Sequence, residues 1–303
     1  MSSYPDFMCV GAQKAATTWL YDVLSRVPGV FLPRIKELHY FSELYSTDAK
    51  RFGPKHRSEQ IGHIRRYHRS RNTGSAYEKM VLEQLKHIDT NHTSDDWYRG
   101  IFSFAQDHEI CGEICPCYMA MPVRGVRHAL SINPLMRILI IVRDPIDRLW
   151  SHMRMHVKSG YMDLDIQRVI EGNFEMGPYL RYTDYASAIP RWEHLSAPGR
   201  VKVMLYDQIG EDSSKALDEI LAFIGVPGAQ SRADQSKSVF SGQPINLPRE
   251  LRAMLLDRLM PQYEFLHQRF PAEVDRWLST HRSAIDTETK SLQGSAEPAQ
   301  ISG

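Results

Sequence analysis

Ile138-Leu-Ile-Ile-Val142-Arg143-Asp-Pro145-Ile-Asp147-Arg148-Leu-Trp-Ser151 is the stretch on which the reading of the fold turns. Apart from Arg137, the run from Met136 to Val142 is apolar, as expected of a strand covered on both faces of a parallel sheet. Pro145, whose φ is already fixed near the helical value, opens a helix with Leu149, Trp150, Met153 and Val157 on its inward side. A strand passing through a short turn into a helix is the repeating unit of parallel α/β sheets, where ligands sit beyond the carboxyl ends of the strands. Arg143 stands at such an end.

The same alternation extends in both directions. Phe7 to Val10 is an apolar run ending at Gly11, and Leu20, Val23, Leu24 and Val27 follow at helical spacing before Pro28-Gly29. Val30-Phe31-Leu32, Glu109 to Ile114 and Val201 to Tyr206 read as further strands; Ala76 to Ile88, Val126 to Ile132, Ser213 to Ile224 and Leu251 to Phe270 read as helices. We expect one α/β domain over residues 1–286, with a central, mostly parallel sheet flanked by helices and a helical carboxyl-terminal part from about 247 to 286. The small, polar residues 287–303 are expected to form a disordered tail.

Composition narrows the function classes. Of 303 residues, 42% are hydrophobic and 24% charged, which excludes a wholly disordered or fibrous chain. The net charge of +1 argues against a chain-wide nucleic-acid or membrane-surface binder. That neutrality hides an asymmetry: Lys50 to Arg71 holds eight cations against the single acid Glu59, a surplus of seven, and the rest of the chain carries −6. With little periodicity, residues 47–73 read as a basic insertion, an exposed loop or irregular helix. The amino terminus shows no secretory signal, and no apolar run approaches the ~20 residues of a membrane span.

Four cysteines, Cys9, Cys111, Cys115 and Cys117, form no disulfide framework, so a reducing, cytoplasmic protein with buried, inert thiols is expected. No metal is expected either: Cys111, Cys115 and Cys117 lack a second knuckle, and Met153 stands where a zinc-protease helix with His152 and His156 would need glutamate.

Gly11-Ala12-Gln13-Lys14-Ala15-Ala16-Thr17-Thr18 follows a strand and opens a helix, so backbone N–H groups and the helix dipole can meet an anion there. Lys14 adds a full charge, and Thr17 and Thr18 add hydroxyls. A Walker loop would place glycine and lysine where Ala16 and Thr17 stand; the lysine is three residues early, and the best strand ends in Arg143 rather than a Walker-B acid. The loop is P-loop-like without the metal-dependent NTPase pattern. Arg143 suits a phosphate through paired charge-assisted bonds, and Ser151 on the following helix offers a hydroxyl. Two separated anion sites fit a nucleotide phosphorylated at both ends of its ribose better than a nucleotide with one phosphate chain.

Lys14-Ala-Ala-Thr-Thr together with Arg143-Asp-Pro-x-x-Arg-x-x-Ser151 closely resembles the two nucleotide-binding signatures of the sulfotransferases that use 3′-phosphoadenosine 5′-phosphosulfate (PAPS), over about residues 5–225. The resemblance implies that the loop of Gly11, Gln13, Lys14, Ala15, Ala16, Thr17 and Thr18 holds the 5′-phosphosulfate, and that Arg143 and Ser151 hold the 3′-phosphate. Lys237, in Lys237-Ser-Val-Phe-Ser-Gly242, falls where a basic loop covers that phosphate in the family.

Lys36-Glu37-Leu-His39-Tyr-Phe41 is similar to the Glu-x-His-Phe-Phe stretch of the heparan-sulfate-type branch, where the matching glutamate is taken as general base. Glu37 would then take the acceptor's proton while Lys14 stabilises charge on the departing phosphate oxygen. His39 is the rival base, because imidazole titrates nearer neutrality and phenol-type sulfotransferases use histidine.

Glu113 and Tyr118 match a family strand reading Glu-Lys-x-Pro-x-Tyr, with Ile114 in place of the lysine, and Tyr185 lies in another recurring segment; the resemblance implies that all three line the acceptor cleft. The expected acceptor is a hydroxyl of a small molecule, glycan or lipid-linked sugar, anionic if the basic stretch attracts it. A small-molecule kinase with a degenerate phosphate loop and a non-catalytic polyanion-binding module are the alternatives.

Overall fold

The computed structural model describes residues 4–71, 73–90, 93–160, 165–226 and 246–294. In chain order the elements are β1 (Phe7–Gly11), α1 (Thr17–Leu24), β2 (Val30–Phe31), α2 (Tyr40–Tyr45), α3 (Thr47–Arg71), α4 (Ala76–Ile88), α5 (Asp95–Phe102) and β3 (Ile110–Ile114). A short 3-10 turn (Pro116–Ala120) leads to α6 (Val123–Ile132), β4 (Arg137–Val142), α7 (Pro145–Lys158), α8 (Ile166–Ile170) and α9 (Gly177–Arg181). The chain closes with α10 (Tyr185–Leu195), β5 (Val201–Leu205), α11 (Tyr206–Glu211), α12 (Ser213–Ile224), α13 (Arg249–His267) and α14 (Pro271–Gly294).

The expected α/β class is present, with a central parallel sheet flanked by helices. The five strands run in the order β2-β3-β1-β4-β5, and every neighbouring pair is parallel. The chain moves from β1 out to β2, returns through β3 and crosses to β4 on the other side of β1, so the direction of winding reverses where β1 meets β4. Open α/β sheets bind ligands beyond the strand ends at such a reversal. Ile138 to Val142 of β4 are wholly buried, which accounts for their unbroken apolarity. Beside them, Phe7 of β1 pairs with Gly112 of β3, and a Cβ at Gly112 would run into the Phe7 ring.

The backbone divides into two compact units, one of Met1–Arg143 with Ser187–Ser241 and one of Asp144–Ala186 with Gly242–Gly303. The first contains the sheet. In the second, Asp144 caps α7 by accepting the Asp147 N–H at 2.9 Å, and both of its oxygens also lie 3.1 Å from the Tyr263 hydroxyl and from His281 Nε2. Arg148 is fully buried there and donates to the Tyr179 carbonyl at 2.8 Å, while His156 Nδ1 meets the Tyr179 hydroxyl at 2.8 Å.

Two segments differ from the sequence reading. The basic stretch is neither loop nor irregular; it is the continuous helix α3, with Pro54 within it. Its buried positions are Ala49, Gly53, Arg57 and Ile61, a stripe at i, i+4 spacing in which only two side chains are apolar, so hydrophobic periodicity could not expose it. Arg57 is stabilised in the interior by Glu43 of α2, with an Nη1–Oε1 contact and an Nη2–Oε2 bond of 3.1 Å, and a Cβ at Gly53 would collide with that carboxylate. At the carboxyl end α14 continues to Gly294, past residue 287 where a tail was expected, because no proline or glycine interrupts it before Gly294. Residues 295–303 lie outside the described residues. Among the described residues, no helix is long and apolar enough to cross a membrane.

Candidate active site

The turn after β1 is shaped as an anion cradle. Lys14 and Ala16 adopt left-handed φ values of 70° and 58°, which turn the backbone sharply into α1. The N-cap is Ala16, which offers no capping side chain, so the N–H groups of the first helical turn have neither an intrahelical partner nor a cap from that residue. Register ties this turn to β4: the Ala12 N–H donates to the Ile141 carbonyl at 2.8 Å. Arg143, one residue beyond β4, sends Nη1 to the Lys14 carbonyl at 3.1 Å and lays its guanidinium 4.7 Å from the centre of the Tyr206 ring. The structure therefore brings the lysine loop and the arginine together at the reversal of the sheet. Gln13 Oε1 is buried with no hydrogen-bond partner among the described residues.

Ser151 lies on α7 in the second unit. Arg148 of the same motif is a buried structural residue. Lys237 lies outside the described residues.

A second turn follows β2. Glu37 and His39 both take left-handed φ values, 66° and 61°, on either side of the buried Leu38. That costly geometry is clamped at the Leu38 peptide: its N–H donates to Glu113, and its carbonyl accepts from Arg57 Nη1 at 2.7 Å. The turn points Glu37 Oε1 at Lys36 Nζ and Oε2 at His39 Nε2, 3.5 Å away. His39 is fully buried; its Nδ1 lies 3.2 Å from Ser42 Oγ and 3.8 Å from Cys115 Sγ. Since the Cys115 N–H donates to the Cys9 carbonyl at 3.0 Å, the turn sits at the carboxyl ends of β3 and β1.

Electrostatics separates the acidic groups. Burial works against the ionised form of Glu37, but the Lys36 ammonium and the His39 ring outweigh it and hold the carboxyl far below its ordinary value. For His39, burial opposes the imidazolium while the sulfurs of Cys115 and Cys117 favour it, and the balance lies well above the ordinary imidazole value. Burial pushes the Cys115 thiol up to about 12, so near neutrality it is uncharged, and ionised Glu37 is the neighbour that favours a protonated ring.

Glu113 is also pushed up, to about 7, by burial against the lowering effect of its tyrosine hydrogen bonds. Tyr98 and Tyr118 donate to its two oxygens at 2.5 and 2.9 Å. Glu113 and Tyr118 thus form a wholly buried network behind the Glu37 turn, and Tyr185 is fully buried at the start of α10.

Sequence reasoning passed over Ser42, Glu43, Arg57 and Tyr206. Ser42 stands only three residues from its partner His39, whereas the others act through contacts distant in the chain. Cys115 and Cys117 are not merely inert core thiols, since both stand beside His39.

A parallel sheet with a sharp, uncapped turn after its first strand, an arginine after the neighbouring strand and an acid–histidine pair in the turn after β2 gathers the features of a ligand-binding sheet edge. The chain belongs to the Sulfotransferase family, whose sequence profile matches residues 5–230. A sulfotransferase from Alicyclobacillus acidocaldarius shares the fold at 20% identity, with 90% of this chain and 98% of that one covered and a TM-score of 0.64. Weaker superpositions pair the chain with the sulfotransferase domain of the curacin biosynthetic pathway, at 14% identity, TM-score 0.48 and coverage of 74% and 75%. The sulfotransferase domain of the Synechococcus PCC 7002 olefin synthase gives 15% identity, TM-score 0.46 and coverage of 84% and 94%. A search of curated protein sequences returned no match.

Proposed function

We propose that the chain transfers a sulfuryl group from PAPS to a hydroxyl of a small-molecule, glycan or glycolipid acceptor by in-line displacement, with Glu37 as general base. What supports this reading is the bond of Arg143, after β4, to the Lys14 carbonyl, after β1, together with a carboxylate held ionised in the turn after β2. PAPS supplies an activated sulfuryl group and carries phosphates on both sides of its ribose, and the residues present fit that pattern. The uncapped turn of Gln13 to Thr18 receives the 5′ end, with Lys14 neutralising charge that develops on the departing oxygen. Arg143, braced on Tyr206, receives the 3′-phosphate.

Glu37 accepts the acceptor's proton. While Lys36 pairs with it, the carboxylate is a poor base, so the reaction requires Lys36 to turn from Glu37 toward the incoming anion, which restores basicity to Glu37. His39 keeps the carboxylate oriented, and Glu113 with Tyr118 fixes the turn from behind. Exposed Lys50, Arg66, Arg69 and Arg71 of α3 favour an anionic acceptor. Transfer of label from PAPS across a panel of sugars, phenols, sterols and glycolipids tests the reaction. At least one sulfated product is expected, and phosphate transfer from ATP with magnesium in its place would support the kinase alternative.

A further inference from the structure

Glu37, His39 and Cys117 each aim one metal-binding atom into the same small space, with all three atoms within 4.8 Å of one another. The pair that is resolved most finely, His39 Nε2 and Glu37 Oε2, stands 3.5 Å apart. A tetrahedral ion with ligands about 2.1 Å from its centre has edges of about 3.4 Å, so this separation already suits a shared ion.

The hydrogen bonds around His39 fix which nitrogen is available. Ser42 Oγ donates its proton to the His39 carbonyl at 3.0 Å, so at Nδ1, 3.2 Å away, it acts as acceptor and places a ring proton there. The neutral tautomer then carries its lone pair at Nε2, an atom that is buried without a hydrogen-bond partner among the described residues. Glu37 divides its oxygens: Oε1 faces Lys36 and Oε2 faces His39, so an ion can take Oε2 without displacing the lysine. Cys117 is half-buried and the Glu37 side chain retains 15% exposure, which leaves an approach from solvent.

We propose that Glu37 Oε2, His39 Nε2 and Cys117 Sγ form a binding site for a zinc-class divalent ion, which silences the enzyme by occupying its base. Thiolate with imidazole and one carboxylate is a donor set for a borderline-soft ion rather than for magnesium or calcium, and three protein ligands leave a fourth position for water. On binding, the protons of the Cys117 thiol and of His39 Nε2 are released to solvent. The silencing rests on Glu37 being the base; the binding does not.

The test uses the full chain, stripped with a chelator and titrated with cobalt(II). A thiolate-to-cobalt charge-transfer band that saturates at one equivalent and is abolished by zinc is expected. Cys117→Ser should remove the band and weaken zinc binding at least about tenfold, whereas Cys115→Ala, which removes the sulfur facing Nδ1, should keep the band. Glu37→Gln should weaken zinc binding about tenfold in a chain that still folds, which keeps the proposal testable if Cys117→Ser does not fold. Absence of the band, its survival in Cys117→Ser or zinc affinity unchanged in Glu37→Gln would overturn the site. In sulfate transfer, one equivalent of zinc should lower turnover at least about tenfold, with recovery on adding chelator. Full turnover with the band saturated would leave the site standing and overturn Glu37 as the base.

Discussion

The two turns at the carboxyl edge of the sheet are built on opposite principles. Both use left-handed residues other than glycine: Lys14 and Ala16 in the first, Glu37 and His39 in the second. The first turn presents backbone, an uncapped helix start and one lysine, steadied from outside by Arg143 on the Lys14 carbonyl. The second presents side chains and is gripped at one peptide, Leu38, between buried Glu113 and buried Arg57. A turn that presents main-chain donors can do without buried side chains behind it, whereas one that holds a carboxylate in a single geometry needs them, and here two buried side chains, Glu113 and Arg57, grip it.

This contrast breaks first at Glu37. Glu37→Gln should lower turnover by about 10²-fold or more while leaving affinity for 3′-phosphoadenosine 5′-phosphate within about threefold, measured by initial rates and calorimetry. Full activity in that variant would transfer the base role to His39. Arg57→Ala comes next. It strands Glu43 in the interior and should cost about 3–5 kcal/mol in chemical denaturation, with turnover falling and nucleotide affinity again spared, because only the second turn depends on it. Equal damage to nucleotide affinity would show that the two turns are not separately supported.

Glu113→Gln should act through pH. Its carboxyl is raised from 4.5 to about 7 in the folded chain, so the native state holds a proton that the unfolded state releases. Its contribution is therefore present in full below pH 4.5 and is lost as pH rises through about 7. Denaturation midpoints measured across that window should decline with pH in the parent chain and flatten in Glu113→Gln. The smallest effect belongs to the exposed face of α3. Neutralising Arg66, Arg69 and Arg71 together should raise the acceptor KM a few-fold, less so in high salt, and leave the nucleotide KM alone.

The sheet and the first turn were legible in the sequence because each is written locally. The run Ile138 to Val142 can only be a covered strand, Pro145 marks the helix start, and Lys14 and Arg143 each follow directly on a strand. The second turn was half legible. Lys36-Glu37-Leu-His39 named the side chains that meet in this turn, but the positive φ values on both sides of Leu38 depend on Arg57 and Glu113, which no local pattern connects to it. For the same reason the surplus of seven cations misled. Counted as one exposed basic insertion, it includes Arg57, which is buried against Glu43, and Arg65, which bonds Asp89 at 2.6 Å, so fewer charges face solvent than the tally suggests. A helix whose buried stripe contains glycine and arginine leaves no hydrophobic trace.

The central claim, a donor phosphorylated at two places and received by Lys14 and Arg143, is tested most directly by calorimetric titration of the full chain with 3′-phosphoadenosine 5′-phosphate and, separately, with ATP and magnesium. The account predicts tighter binding of the former, with Arg143→Ala losing roughly 10–100-fold of that affinity, the scale of one or two charge-assisted hydrogen bonds. Tighter binding of ATP with magnesium, unaffected by Arg143→Ala, would contradict it.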